Sequence, residues 1–149
     1  MVKIPEKLGS EYYRGFLTRQ GQAFYDRINA QLLRGDYSGK TTFSISNPET
    51  SASDCFAAYK AIRDDRPEFF FLGFQSEFTR RGRTGTLEYP ILYAPEIIDR
   101  IRQQLRKKIF QIVRGTADLS MLEREALVYE RIAKSIVYTN NGDVRDHSI

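Results

Sequence analysis

EFFFLGFQSEFTRRGRTGTLEYPILY, residues 68–93, decides the fold. Phe70, Leu72, Phe74 and Phe78 fall at even positions in its first half, and Leu87, Tyr89, Ile91 and Tyr93 at odd positions in its second. Period-two alternation puts one side of a strand on a core, so both halves read as strands. Gly82 and Gly85 stand between them with Arg80, Arg81 and Arg83, which predicts a long antiparallel hairpin with a basic tip. Pro90 lacks a backbone donor and so predicts an edge position for the second arm.

Helical signals surround this hairpin. After the aromatic pair Tyr12 and Tyr13, Thr18 is placed to cap a segment in which Phe24, Tyr25, Ile28, Leu32 and Leu33 recur at helical spacing up to Gly35. TTFSIS, residues 41–46, alternates with Phe43 and Ile45 on one side and predicts a short strand ending by Pro48. Ser51 and Ser53 are candidate caps of a second helix lined inside by Phe56, Tyr59 and Ile62. Arg66 precedes Pro67, and a pre-proline residue resists the α conformation, so this helix should finish within Asp64-Asp65-Arg66.

Beyond the hairpin, Pro95 suits the first position of a long helix. Ile97, Ile98, Ile101, Leu105, Ile109, Ile112 and Val113 form its apolar stripe. Ser120 and Glu123 make an S-x-x-E capping box. The helix it opens is expected to bury Leu122, Ala126, Tyr129, Ala133 and Ile136 and to end near Asn140-Asn141-Gly142. The pattern is α+β: about four helices packed on a small antiparallel sheet containing a long hairpin. With 149 residues, 41% of them hydrophobic and 13% aromatic, residues 1–149 suit one domain with a sizeable core. No run approaches the roughly 18 apolar residues of a membrane helix. The opening MVKIPEKLGSEYY has a lysine with no apolar stretch behind it, so neither signal peptide nor anchor is read in the chain as given, and the compartment stays open.

Charge is uneven. Nine basic residues between Arg80 and Arg114 (Arg80, Arg81, Arg83, Arg100, Arg102, Arg106, Lys107, Lys108, Arg114) face three acidic ones (Glu88, Glu96, Asp99). This stretch therefore carries +6 of a net +4, and the remainder −2. Arg80, Arg81, Arg83, Arg100, Arg102, Arg106, Lys107 and Lys108 are the candidate contacts to a polyanion or nucleic acid. The hairpin aromatics alternate toward the core, however, and cations on the outer side of a helix commonly serve solubility. Nucleic acid is therefore the less favoured partner, and a homo-oligomer is a further candidate.

Candidate chemistry is sparse. Cys55 and His147 are the single thiol and the single imidazole, and a working nucleophile needs a base and a group to orient it. Cys55 beside Phe56 at the start of an amphipathic helix reads as a core residue. Asp143, Asp146 and His147 lack the framing of a calcium loop or a zinc site. Asp64, Asp65 and Glu68 bring carboxylates together where a helix ends, which turn composition explains. No catalytic residue, metal ligand or cofactor is therefore assigned, and the chain reads as a non-enzyme.

Three stretches, in order, carry a family resemblance: YYRGFLTRQGQAFYDRINAQLLRGD (12–36), AYKAIRDDRPEFFFLGF (58–74) and LSMLEREALVYERIAKSIVYTNNGDVRDHSI (119–149). They resemble the N-terminal region of bacterial transglutaminase-like proteins, members of the cysteine-protease-like superfamily often found at Gram-positive cell surfaces. The third ends in the Ser135-Ile136-Val137-Tyr138 pattern of a helix leading into that family's core. The resemblance implies an accessory domain, with 120–149 as the entry helix of a core. It also puts the family's Cys, His and Asp downstream of the segment around Tyr138, beyond Ile149, so Cys55 sits too early to be that cysteine. A transglutaminase-like core or another protein is the implied partner.

Overall fold

A computed structural model describes residues 9–135. Its elements are α1 (Arg19–Leu33), β1 (Lys40–Ser44), α2 (Ser51–Asp65), β2 (Glu77–Arg81), β3 (Thr84–Glu88), α3 (Pro95–Val113) and α4 (Met121–Ser135), with 3-10 turns at Tyr13–Phe16 and Pro67–Phe69. Four helices and a three-stranded antiparallel sheet make it an α+β fold. The described residues divide into two compact units, the first running as far as Arg100 and the second starting at Ile101.

The first unit holds the sheet, in the order β1-β3-β2. Thr41, Phe43, Leu87 and Phe78 point to one side, where α1 contributes Phe24, Tyr25, Ile28 and Leu32 and α2 contributes Cys55, Ala58, Tyr59, Ala61 and Ile62. Aromatic contacts tie the layers together: Phe24 to Phe43 at 4.6 Å between ring centroids, and Tyr59 to Tyr89 at 5.2 Å. Lys40, Thr42, Ser44, Thr79, Arg81, Thr84 and Glu88 point away and are exposed, so helices cover one side only. Ile98, near the start of α3, closes this core.

Local signals explain most boundaries. Thr18 Oγ1 accepts from the Gly21 amide at 3.0 Å and starts α1. α2 stops at Asp65, and Arg66 leaves the helical region with φ −122° and ψ 80° ahead of Pro67. Pro95 opens α3. At the head of α4, Ser120 Oγ accepts from the Glu123 amide at 3.3 Å and Glu123 Oε2 accepts from the Ser120 amide at 3.0 Å, the reciprocal capping box.

Five expectations are corrected. The hairpin is shorter than its alternation suggests: the ladder covers Glu77–Arg81 against Thr84–Glu88, and only the isolated bridge Leu72 to Ile91 continues it. Pro67 starts a 3-10 turn, which shifts the register so that Phe69 and Phe71 enter the core while Phe74 is left 83% exposed with the Arg63 guanidinium 3.8 Å from its ring. β3 is the central strand. Pro90 lies past its end, where its missing amide breaks no ladder bond and its carbonyl accepts from Gly73. In α2 the cap position is Thr50, because Ser51 and Ser53 turn back to donate to the Pro48 and Thr50 carbonyls. The inner side follows Cys55, Ala58 and Tyr59, leaving Phe56 41% exposed.

The fifth concerns α4. Leu122 and Tyr129 are both 77% exposed, Ala126 and Ala133 are exposed too, and no α4 residue is fully buried. Leu127, Val128 and Arg131 occupy the half-covered side instead. Within the second unit α4 is tied by arginines that donate to carbonyls. Arg131 Nη1 reaches Ile112 and Arg114, both at 2.7 Å, and Arg124 reaches Thr116 and Ala117 at 3.1 and 3.0 Å. The Arg131 pair satisfies carbonyls that the end of α3 leaves open, and the Arg124 pair holds the connection to α4. Ile136 and the expected stop near Asn140-Asn141-Gly142 lie outside the described residues.

Candidate functional site

Cys55 is fully buried, and removal from water pushes its thiol up to about 12, with the neighbouring Asp54 carboxylate adding to the rise. A thiolate nucleophile needs the opposite environment. Cys55 is a packing residue of α2, as its place on the helix suggested.

The carboxylates near Pro67 separate into different jobs. Asp65 is buried and accepts from the Tyr13 and Arg14 amides at 2.9 and 3.1 Å and from the Tyr25 hydroxyl at 3.1 Å, which pins the 3-10 turn Tyr13–Phe16 against the end of α2. Burial pushes the Tyr25 phenol up to about 12, so it stays a proton donor. Arg66, 1% exposed, is paired with Glu68 at 3.2 Å and Glu11 at 3.7 Å. Asp64 faces solvent and pairs with Lys60 at 2.7 Å. The group joins chain segments that are distant in sequence.

Sequence reasoning missed a second buried carboxylate. Asp54 accepts from Thr18 Oγ1, Gln20 Nε2 and Thr50 Oγ1 at 2.8, 2.9 and 2.8 Å. Burial alone would raise its pKa, but these three donors outweigh it and hold the carboxyl below its ordinary value. Gln20 Oε1 also accepts from the amides of Ser46 and Asn47, so this hub links the start of α1, the loop after β1 and the start of α2. The available signal was weak: an Asp four residues after a Thr at a helix start.

The basic candidates are exposed, with one difference. Arg80, Arg81 and Arg83 cluster at the hairpin tip, and Arg80 curls back to the Gly82 carbonyl at 3.3 Å. Arg100, Arg106, Lys107 and Lys108 are exposed along α3, whereas Arg102 is half-buried. In the second unit Lys108, Arg114 and Arg131 line one open depression of about 260 Å³ with Gln111, Ile112 and Ser135. Arg114 and Arg131 were not among the sequence-derived contacts.

Asp143, Asp146 and His147 lie outside the described residues. Among the described residues, no group of three or more His, Cys, Asp or Glu side chains is placed to hold a metal ion, and no helix is long and apolar enough to cross a membrane. No protein-family model and no curated protein matches the chain. Fold and surfaces together define an α+β protein whose first unit is tied by the buried carboxylates Asp54 and Asp65 and whose most distinctive outward features are apolar and basic.

Proposed function

We propose that this chain is a non-catalytic accessory domain that serves protein interaction, next to a transglutaminase-like core. One observation carries the reading: Leu122, Ala126, Tyr129 and Ala133 repeat at core-facing spacing on α4 yet stand exposed. A capped helix with an apolar stripe and no buried side chain draws its stability from whatever covers that stripe. The ordered resemblance of the three quoted stretches supports a core as the covering body. Continuing the reading frame past Ile149 tests this: a downstream series of Cys, His and Asp is expected, and its absence removes the accessory-to-an-enzyme version.

A second reading, polyanion or nucleic-acid binding, is favoured by the exposed Arg80, Arg81 and Arg83 and by the Lys108, Arg114 and Arg131 depression. Binding through phosphates weakens steeply as salt rises. A mobility shift with single- and double-stranded DNA and RNA that shows no complex at low salt eliminates it.

A further inference from the structure

The two edges of the sheet are finished differently. Tyr89 donates its amide to Gly39 at 2.8 Å and Ile45 donates to Arg83 at 2.9 Å, so the odd residues of β3 and its flanks turn their backbone toward β1. The even residues Thr84, Thr86 and Glu88 then bond β2 through their register partners Arg81, Thr79 and Glu77. On β1 the outward groups belong to Lys40, Thr42 and Ser44, and α1 closes two of them: Gln31 Nε2 donates to the Lys40 carbonyl at 2.8 Å and Arg27 Nε to the Thr42 carbonyl at 2.5 Å. On β2 the outward groups belong to Phe78 and Arg80, and no side chain or strand among the described residues engages their backbone. Four of the five β2 residues are exposed and Phe78 is half-buried.

Side chains at this open edge describe what fits it. Phe78 lies over Gly85, where an added Cβ would stand 2.8 Å from its ring, and meets the partly exposed Phe56 edge-on at 6.4 Å. The core side therefore continues past β2 as an aromatic shelf. At the turn end stand Arg80, Arg81 and Arg83, while Glu77 marks the other end.

We propose that β2 is a docking edge for an extended segment of a partner protein, which adds as a fourth strand. Main-chain bonds to Phe78 and Arg80 hold the segment, an apolar side chain covers Phe78 and Phe56, and an acidic side chain on the opposite side of the sheet sits level with Arg81. Backbone pairing supplies the affinity of such additions, and the alternating side chains supply the selection. Arginines on an edge also discourage edge-to-edge aggregation, but that role leaves no apolar shelf to be covered. The inference is independent of what covers α4.

The test uses the full chain, isotope-labelled, with the peptide acetyl-Glu-Val-Glu-Val-Glu-amide, its lysine counterpart acetyl-Lys-Val-Lys-Val-Lys-amide, and a single-stranded DNA oligonucleotide. With the acidic peptide at about ten times its Kd, exchange of the Phe78 and Arg80 amides should slow about tenfold, since only the free fraction exchanges. Thr79 and Arg81, already bonded to β3, should not change, and the lysine peptide should protect neither pair. Arg80→Pro removes an outward donor where an edge strand tolerates proline. It should weaken the acidic peptide about tenfold more than Arg80→Ala, which keeps the amide, a loss equivalent to one good backbone bond. Binding without protection of Phe78 and Arg80, equal losses in the two variants, a DNA complex in place of a peptide complex, or no peptide binding at millimolar concentration would each overturn the proposal. The exchange experiment on the unmodified chain decides the matter should Arg80→Pro fail to fold.

Discussion

Cys55 and Asp54 are adjacent on α2; burial pushes both pKa values up, and only Asp54 has donors that reverse the shift. Loss of water, with the Asp54 carboxylate adding to it, raises the thiol's pKa to about 12. A disulfide reagent at pH 8 should leave native Cys55 untouched and react at once after denaturation; fast reaction of the folded chain would contradict its burial. Asp54 is rescued by three donors and stays below its ordinary value. A carboxyl depressed in the folded state contributes stability that is present above its unfolded pKa, near ~3.9, and is lost as pH falls through the folded value. Thermal melts between pH 5 and 2 should therefore show a loss of stability that Asp54→Asn flattens, while lowering stability at neutral pH. A parallel acid slope in both proteins would assign that loss to other carboxylates.

Elements form where local chemistry and packing agree. Gly82 has φ +60° at the first position of the two-residue turn between Arg81 and Thr84, a conformation that a β-branched residue enters only with strain. Gly82→Val should cost about 1–2 kcal/mol by urea denaturation, from the left-handed penalty, whereas Arg83→Ala beside it should stay within about 0.5 kcal/mol as an exposed change. Proline acts twice with different outcomes. Pro67 ends a helix as its sequence position implies, but by starting a 3-10 turn it also breaks the strand alternation read through Phe70 and Phe74. The period-two signal there was real in spacing and overridden by one residue's geometry.

At the scale of the molecule, burial is concentrated in the first unit. Every hydrophobic residue of the core cluster falls between Phe24 and Ile98, while α4 has no buried side chain. Hydrogen exchange follows such differences because segments with few buried contacts open locally at low cost. Amides of α2 should exchange only through global unfolding, and those of residues 121–135 far earlier, by mass spectrometry on peptic fragments. A partner that covers Leu122 and Tyr129 should slow the second group without moving the first. Equal protection of α2 and α4 in the isolated chain would count against the exposed stripe as an interaction surface.

Several features were set by residues acting on their immediate neighbours and could be read from the chain alone. They include the α+β class, the Thr18 cap, the stop before Pro67, the Pro95 start, the Ser120 and Glu123 capping box and the turn at Gly82. Caps, turns and periodicity are interactions within a few residues, so spacing carries them. Other features needed the tertiary structure. The placing of β3 between β1 and β2, the partial closing of one sheet edge by Arg27 and Gln31, the opening of the other, and the hubs at Asp54 and Asp65 depend on contacts that reach as far as 52 positions along the chain. The exposure of α4 belongs with them. Periodicity states which side of a helix is apolar, but only packing decides whether anything in the chain covers it.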